Sequence, residues 1–333
     1  MTDVTVVVCA SGDAQQLTPT LSSLRHQGLE PGSLEILVVN DSAQPVDSLL
    51  HEAREHFERI TALDQGEPLG TAAARSRALT LAQGKAVTFI NAGSWFARGA
   101  LAGLVQTRQH TGVDVVHGDI VLMDGLIRVL AARTWARLDE PIRYCDLPVP
   151  PGAAQLPKPL IQPGALYSTA LASEGLLDAA AGTTAWAWTL ATSEHTFVST
   201  AQPVVCVPKT DAEYASEQPA SCPPQTLLDA YTAVLKALRA PDLPCPERRA
   251  ALTRIAAAEL CRSLSNTQAA GRPLGVGRPF GVGLAALRPR LESLLRGVDA
   301  EELRHIKAAY GKHLHPAVLS ALTAAMNSKG RTA

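Results

Sequence analysis

Unbroken apolar runs alternate with helically spaced leucines along the first part of the chain. Val4–Cys9 is a continuous, mostly β-branched run, the pattern of a strand buried on both faces in a parallel sheet. Leu34–Val39 repeats it, and between the two Leu17, Leu21 and Leu24 fall at helical spacing behind Thr18-Pro19. Strand, helix and strand in so short a stretch predict a βαβ unit. Helical spacing returns over Val46–Phe57 and Thr71–Ala82, with Gly84 placed to end the latter. Ala86–Ile90 reads as the next strand, Ala100–Gln109 as a helix and Val113–Val121 as a strand. Leu122–Leu126 reads as a hairpin turn. Such alternation predicts an α/β domain: a mostly parallel sheet with helices on both faces.

The pattern then changes. Pro141–Pro163 is rich in proline and reads as irregular chain crossing the sheet. Ala170–Ala180 and Ala185–Thr192 read as short helices and Phe197–Val207 as a strand. A second proline-rich stretch, 211–224, marks a linker. Beyond it Leu227, Leu228, Tyr231, Val234, Leu235 and Leu238 form one apolar helical stripe. Helices are also expected over Glu247–Leu264, Leu284–Leu295, Ala300–Tyr310 and Pro316–Met326. The tandem segments Gly271–Val276 and Gly277–Val282 repeat Gly-Arg-Pro and cannot be helical, so they read as a mobile linker. The expected organisation is an α/β domain over 1–210, a linker over 211–224 and a helical C-terminal domain over 225–333.

Composition narrows the chemistry. Of 333 residues 46% are hydrophobic, enough for a sizeable core, and a net charge of -1 asks for neither nucleic acid nor an anionic membrane as partner. Six cysteines (Cys9, Cys145, Cys206, Cys222, Cys245, Cys261) are scattered with no C-x-x-C pair, which argues against zinc and for reduced thiols. The start of the chain lacks the basic segment of an export signal, and no apolar run is long enough for a membrane span. A cytoplasmic location is therefore expected. Aromatic residues are only 4%, which disfavours a broad carbohydrate groove built on aromatic faces.

Three stretches together resemble the family 2 glycosyltransferases of GT-A fold. Val4–Gly12 is a strand running into a small polar loop. Glu35–Ser42 resembles the family's strand ending in two acids and a serine. Gly70–Ala78 followed by Leu81–Trp95 resembles the pattern G-x-x-x-A-R-N-x-G, then A-x-G-x-Y-I-x-F-L-D-x-D-D-W. Val113–Asp119 also fits the strand after the acceptor-side helix, and weaker similarity extends to about Val207. The resemblance implies a nucleotide site at Ala10, Ser11, Gly12, Asn40 and Asp41, with Arg75 on the diphosphate side and Asn91 near ribose or phosphate. Each has a plainer reading: Asp41 and Ser42 also suit a turn cap, Arg75 a surface ion pair and Asn91 a strand-end turn.

The same comparison exposes losses. Transfer from a nucleotide sugar uses a divalent cation, held by the D-x-D acids, to neutralise the diphosphate leaving group. A further carboxylate, in an E-D-W segment, deprotonates the acceptor. Here Asn91, Gly93 and Ser94 stand in the metal motif, and Thr184-Ala185-Trp186 stands in the base motif. One acid of the second-strand pair is Asn40. No divalent metal or other cofactor is expected, and no catalytic residue is assigned.

The leading expectation is a pseudo-glycosyltransferase that binds a nucleotide sugar or supports an active transferase, with homo- or hetero-oligomerisation through the helical tail. The rival is a metal-independent transferase using Lys209 or Arg75 against the diphosphate and Glu194, His195 or Asp119 as base, with Asp124 also facing the acceptor. A third possibility is a ligand-free assembly protein. Trp186 and Trp188 read as packing residues rather than a sugar platform.

Overall fold

A computed structural model describes residues 2–10, 13–41, 44–64, 71–124, 128–133, 138–147, 163–176, 190–191, 193–208, 224–238, 246–269 and 284–329. They fall into two compact units: those of Met1–Leu147 and Leu160–Asp211 in the first, those of Ala212–Ala333 in the second.

The apolar runs form the centre of the first unit. Strands β1 (Val4–Ala10), β2 (Leu34–Asn40), β3 (Ile60–Asp64) and β4 (Ala86–Asn91) pair in parallel in the order β3-β2-β1-β4. Every residue of β1 is buried, because helices cover both of its faces. Helices α1 (Leu17–Leu24), α2 (Asp47–Arg54) and α4 (Ala100–Thr111) bury leucines against Val4, Val6 and Val8. Helix α3 (Thr71–Leu79) packs on β1 and β2 from the other side, together with α5 (Thr169–Leu176). The polar residues inside β1 and β2 satisfy one another: Thr5 Oγ1 donates to Glu35 Oε2 at 2.6 Å and accepts from Gly84 N at 2.9 Å.

Beyond β4 the sheet becomes mixed. The short strand β9 (Leu166–Ser168) lies antiparallel between β4 and β6 (Val115–Asp124), so β6 again runs with β4. Strand β10 (Thr196–Pro208) is parallel to β6. Its outer side carries β8 (Leu138–Arg143) on the first half and β5 (Trp95–Phe96) on the second, both antiparallel. Strand β7 (Arg128–Arg133) completes a hairpin with β6. The parallel character expected of the whole sheet thus belongs to β1–β4 and to the β6–β10 pair.

Three sequence expectations shift here. Leu122, Met123 and Asp124, expected in a hairpin turn, instead belong to β6. Pro141 lies in β8 instead of opening an irregular stretch, which an edge strand tolerates because, among the described residues, β8 pairs on one side only. Helix α3 ends at Leu79, five residues before Gly84. Gly84 is there for close approach: a Cβ on it would stand 2.5 Å from Thr5 N.

The second unit is helical: α6 (Pro224–Ala237), α7 (Pro246–Ala269), α8 (Leu284–Leu295), α9 (Ala300–Tyr310) and α10 (Pro316–Lys329). The stripe from Leu227 to Leu238 is buried as its spacing demands. A half-buried ion pair, Arg254 with Glu302 at 3.0 Å, ties α7 to α9, and Tyr231 donates to Glu259 at 3.2 Å between α6 and α7. The Gly-Arg-Pro repeat and most of the 211–224 linker lie outside the described residues.

Candidate functional site

The strand order locates the site before any side chain is considered. The chain moves outward from β1 through β2 to β3, then returns to lay β4 on the other side of β1. In open α/β sheets that reversal leaves a crevice at the carboxyl ends of the two strands. Here it lies between the ends of β1 and β4, where Cys9 pairs with Asn91 and Ala92 N donates to Cys9 O at 2.9 Å. The end of β2 borders it: Ala10 pairs with Asn40, and Asp41 N donates to Ala10 O at 2.8 Å. Ala10, Asn40, Asp41 and Asn91 are therefore brought to one edge. Ser11 and Gly12 lie outside the described residues.

Arg75 reaches the same crevice from α3. Its residue is only 7% exposed, its guanidinium carbon stands 5.5 Å from the Phe89 ring centroid, and its Nε has no partner among the described residues. This is a buried cation on the aromatic face of a β4 residue, not a surface ion pair. The Cys9 thiol lies beneath it. Burial pushes that thiol's pKa up, the neighbouring guanidinium pulls it down by charge and hydrogen bond, and the Asp41 carboxylate pushes it up. Arg75 and Asp41 thus both act on the end of β1.

Asn40 and the turn after β4 stand where the resemblance would place acids, and their neighbours suit uncharged residues. Asn40 Nδ2 donates to Asp64 Oδ1 at 2.9 Å and to Gln44 O at 3.0 Å. A carboxylate at 40 would meet Asp64 as a like charge, so the amide suits its neighbour. Asn91 is exposed and begins a tight turn, with Ser94 N donating to Asn91 O at 3.1 Å. Gly93 has φ 92°, and its N–H is shared by Gln16 O at 2.8 Å and Thr20 Oγ1 at 3.0 Å. Thr20 Oγ1 donates in turn to Ser94 O at 2.6 Å. A Cβ at 93 would meet Gln16 Oε1 at 3.3 Å. The turn is clamped to the start of α1 with a positive φ at 93, so a side chain there would strain the backbone and push Gln16 aside. Among the described residues no group of three His, Cys, Asp or Glu side chains is placed to hold a metal ion.

The expected base candidates separate. Glu194 and His195 precede β10, at the amino end of strands that run parallel to β4. His195 Nδ1 lies 3.3 Å from Asp114 Oδ2, which also accepts from Thr196 N at 3.0 Å. They sit at the edge opposite the crevice and are not part of the site. Asp119 is at the correct edge. Val87 of β4 and Val115 of β6 both lie opposite Tyr167, so counting four residues along each strand brings Asn91 and Asp119 level and on the same face. Asp124 ends β6 farther out. Lys209, Thr184, Ala185, Trp186 and Trp188 lie outside the described residues. Cys9, Gln16, Thr20 and Asp64 enter the site unannounced by the sequence. Their partners stand in other elements, so no local pattern marks them.

The family model described as glycosyl transferase family 2 matches residues 5–146. No curated protein matches the chain in sequence. Among solved structures, Staphylococcus aureus TarS residues 1–349 in complex with UDP is 14% identical, with a TM-score of 0.63 over 99% of this chain and 92% of that one. The same protein in complex with UDP-GlcNAc is 13% identical, with a TM-score of 0.64 over the same shares. The mannosyltransferase PcManGT from Pyrobaculum calidifontis, in complex with GDP-Man and Mn2+, is 17% identical, with a TM-score of 0.50 over 97% of this chain and 85% of that one. At such identities the structural likeness establishes the fold, GT-A, and the glycosyl transferase family 2 match falls on the segment, residues 5–146, that builds the crevice.

Proposed function

We propose that the first unit binds a nucleotide sugar at the β1–β4 crevice without a divalent cation, and that ordinary metal-dependent transfer has been lost. The observation that carries this reading is the 91–94 turn. It offers a neutral amide at 91 and a left-handed glycine at 93, whose N–H is held by Gln16 and Thr20. Arg75, buried at this edge beside Phe89, supplies the positive charge that a metal would otherwise bring. Asp41 and the end of β1 offer contacts to base and ribose. Nucleotide sugars are the right class of ligand to test, since related folds are seen with UDP, UDP-GlcNAc and GDP-Man. The helical second unit is the proposed place for self-association or for docking an active transferase.

The test is calorimetric titration of the full chain with UDP, UDP-GlcNAc and GDP-mannose, once with EDTA and once with manganese. Binding of equal strength in both buffers is expected. Binding that requires manganese overturns the metal-free reading, and no binding in either buffer favours a ligand-free assembly protein. Metal-independent transfer has one observation in its favour: Asp119 alone among the base candidates lies at the site. It predicts release of free sugar from the donor in EDTA.

A further inference from the structure

We propose that a recess on the α1 side of the first unit binds a saccharide carrying an anionic group, a carboxylate or a phosphate, apart from the β1–β4 crevice. Pro19, Ser22, Ser23 and His26 line one wall, at the three- and four-residue spacing of a single helical face along α1 and the turn that continues it. Trp95 of β5 and Arg98 line the other. The space between them is about 360 Å³, within the usual range of about 300–1,000 Å³ for small-ligand sites. The recess does not belong to the nucleotide crevice. Arg75 stands over Phe89, which pairs with Val7, whereas α1 covers the opposite face of the same strand, that of Val6 and Val8. The inference therefore goes beyond the nucleotide-sugar reading and does not rest on it.

The two walls are joined by side chains that serve no other purpose in the fold. Gln27 is 1% exposed and uses its whole amide to link them. Its Nε2 donates to Ser23 O at 2.8 Å and to Ala97 O at 3.1 Å, and its Oε1 accepts from Leu101 N at 3.0 Å. Ser23 Oγ donates to Thr20 O at 2.7 Å and accepts from Phe96 N at 3.1 Å. Gly99, left-handed at φ 72°, donates its N–H to His26 O at 2.9 Å. These bonds hold the 95–101 segment against α1. Trp95 and Arg98 are thus presented from a fixed backbone, and little ordering is lost when a ligand binds.

The lining decides the occupant. Trp95 is half-buried and gives an aromatic wall, the kind of surface on which the C–H face of a sugar ring packs. Ser22 and His26 are exposed beside it and offer hydrogen bonds to hydroxyls. Arg98 is exposed and forms no ion pair among the described residues, and no acidic residue lines the recess. An unpaired guanidinium is complemented by an anion, and its planar fork takes a carboxylate or a phosphate through two hydrogen bonds. An apolar peptide segment would cover Trp95 and leave Arg98 unanswered, whereas an anionic sugar answers both walls at once.

The experiment titrates the full chain with glucose 6-phosphate, glucuronate, glucose and inorganic phosphate by calorimetry. At least one of the two anionic sugars is expected to bind about tenfold tighter than glucose and than phosphate, the size of a hydrogen bond to a charged group. The tighter of the two identifies the anion. In Arg98→Ala, an exposed position, its affinity should fall about tenfold, to that of glucose. In Trp95→Leu, which keeps apolar bulk in β5, the anionic sugar and glucose should both weaken. Phosphate binding as tightly as either anionic sugar makes the recess a plain anion site and overturns the proposal. So does binding that neither variant changes, since the sugar then sits elsewhere, and so does absence of binding by all four compounds. UDP titrated into the same variants reports on the crevice separately, so the two proposals stand or fall apart.

Discussion

A carboxylate restored at position 93 would stand on a backbone of φ 92° and press toward Gln16 Oε1, within 3.3 Å of its Cβ. Left-handed geometry costs a non-glycine residue about 1–2 kcal/mol. The double replacement Asn91→Asp with Gly93→Asp is therefore expected to lower the melting temperature without creating manganese-dependent nucleotide binding. Tight binding that appears only with manganese would show that the turn can still be made into a metal site. A second residue-scale prediction concerns His117. Burial lowers its pKa from 6.5 to about 3, so it stays neutral in the folded chain while the unfolded chain takes up a proton below pH 6.5. Stability must then fall as pH drops from 6.5 toward 3, by about 1.4 kcal/mol per pH unit at most from this group. Denaturant titrations over that range should show a shallower acid slope for His117→Gln.

At the scale of elements, glycines and prolines carry the information that apolar spacing does not. Gly84 and Gly112 look alike in sequence, each following a helix. Gly112 caps α4 in left-handed geometry, with open space where a Cβ would stand, whereas a Cβ on Gly84 would strike the backbone of β1. Gly84→Ala is expected to cost about 1–3 kcal/mol or more through overpacking, and Gly112→Ala about 1 kcal/mol through backbone strain. Urea unfolding of the two variants checks the order. The strands β1, β2 and β4 were legible because each is buried on both faces and so reads as one apolar run. Strands β5 and β9, two and three residues long, were not. A segment that short becomes a strand only because its neighbours present free backbone groups to it.

Across the whole molecule, the two units differ in a way that spectroscopy can use. All four tryptophans precede residue 212, whereas every described element of the second unit is a helix. Tryptophan fluorescence therefore follows the first unit, while far-UV circular dichroism weighs the second heavily. Under the proposal that the units are separate domains, the two signals should give different urea midpoints. A nucleotide sugar should raise the fluorescence midpoint more than the other. Coincident transitions under all conditions would show one cooperative body instead.

The resemblance quoted from residues 4–119 already implied the fold, and it named the ends of β1, β2 and β4 as the expected site. These properties are local: a buried parallel strand and a motif at its end are written in consecutive residues. Tertiary structure alone decided how the replaced positions are used. It gave Asn40 a carboxylate neighbour in Asp64 and clamped Gly93 to Gln16 and Thr20. It buried Arg75 against Phe89, sent His195 to the far edge and set Asp119 level with Asn91. Each of those outcomes depends on strand order and direction, which bring together residues separated by tens of positions, and no pattern within a single element records them.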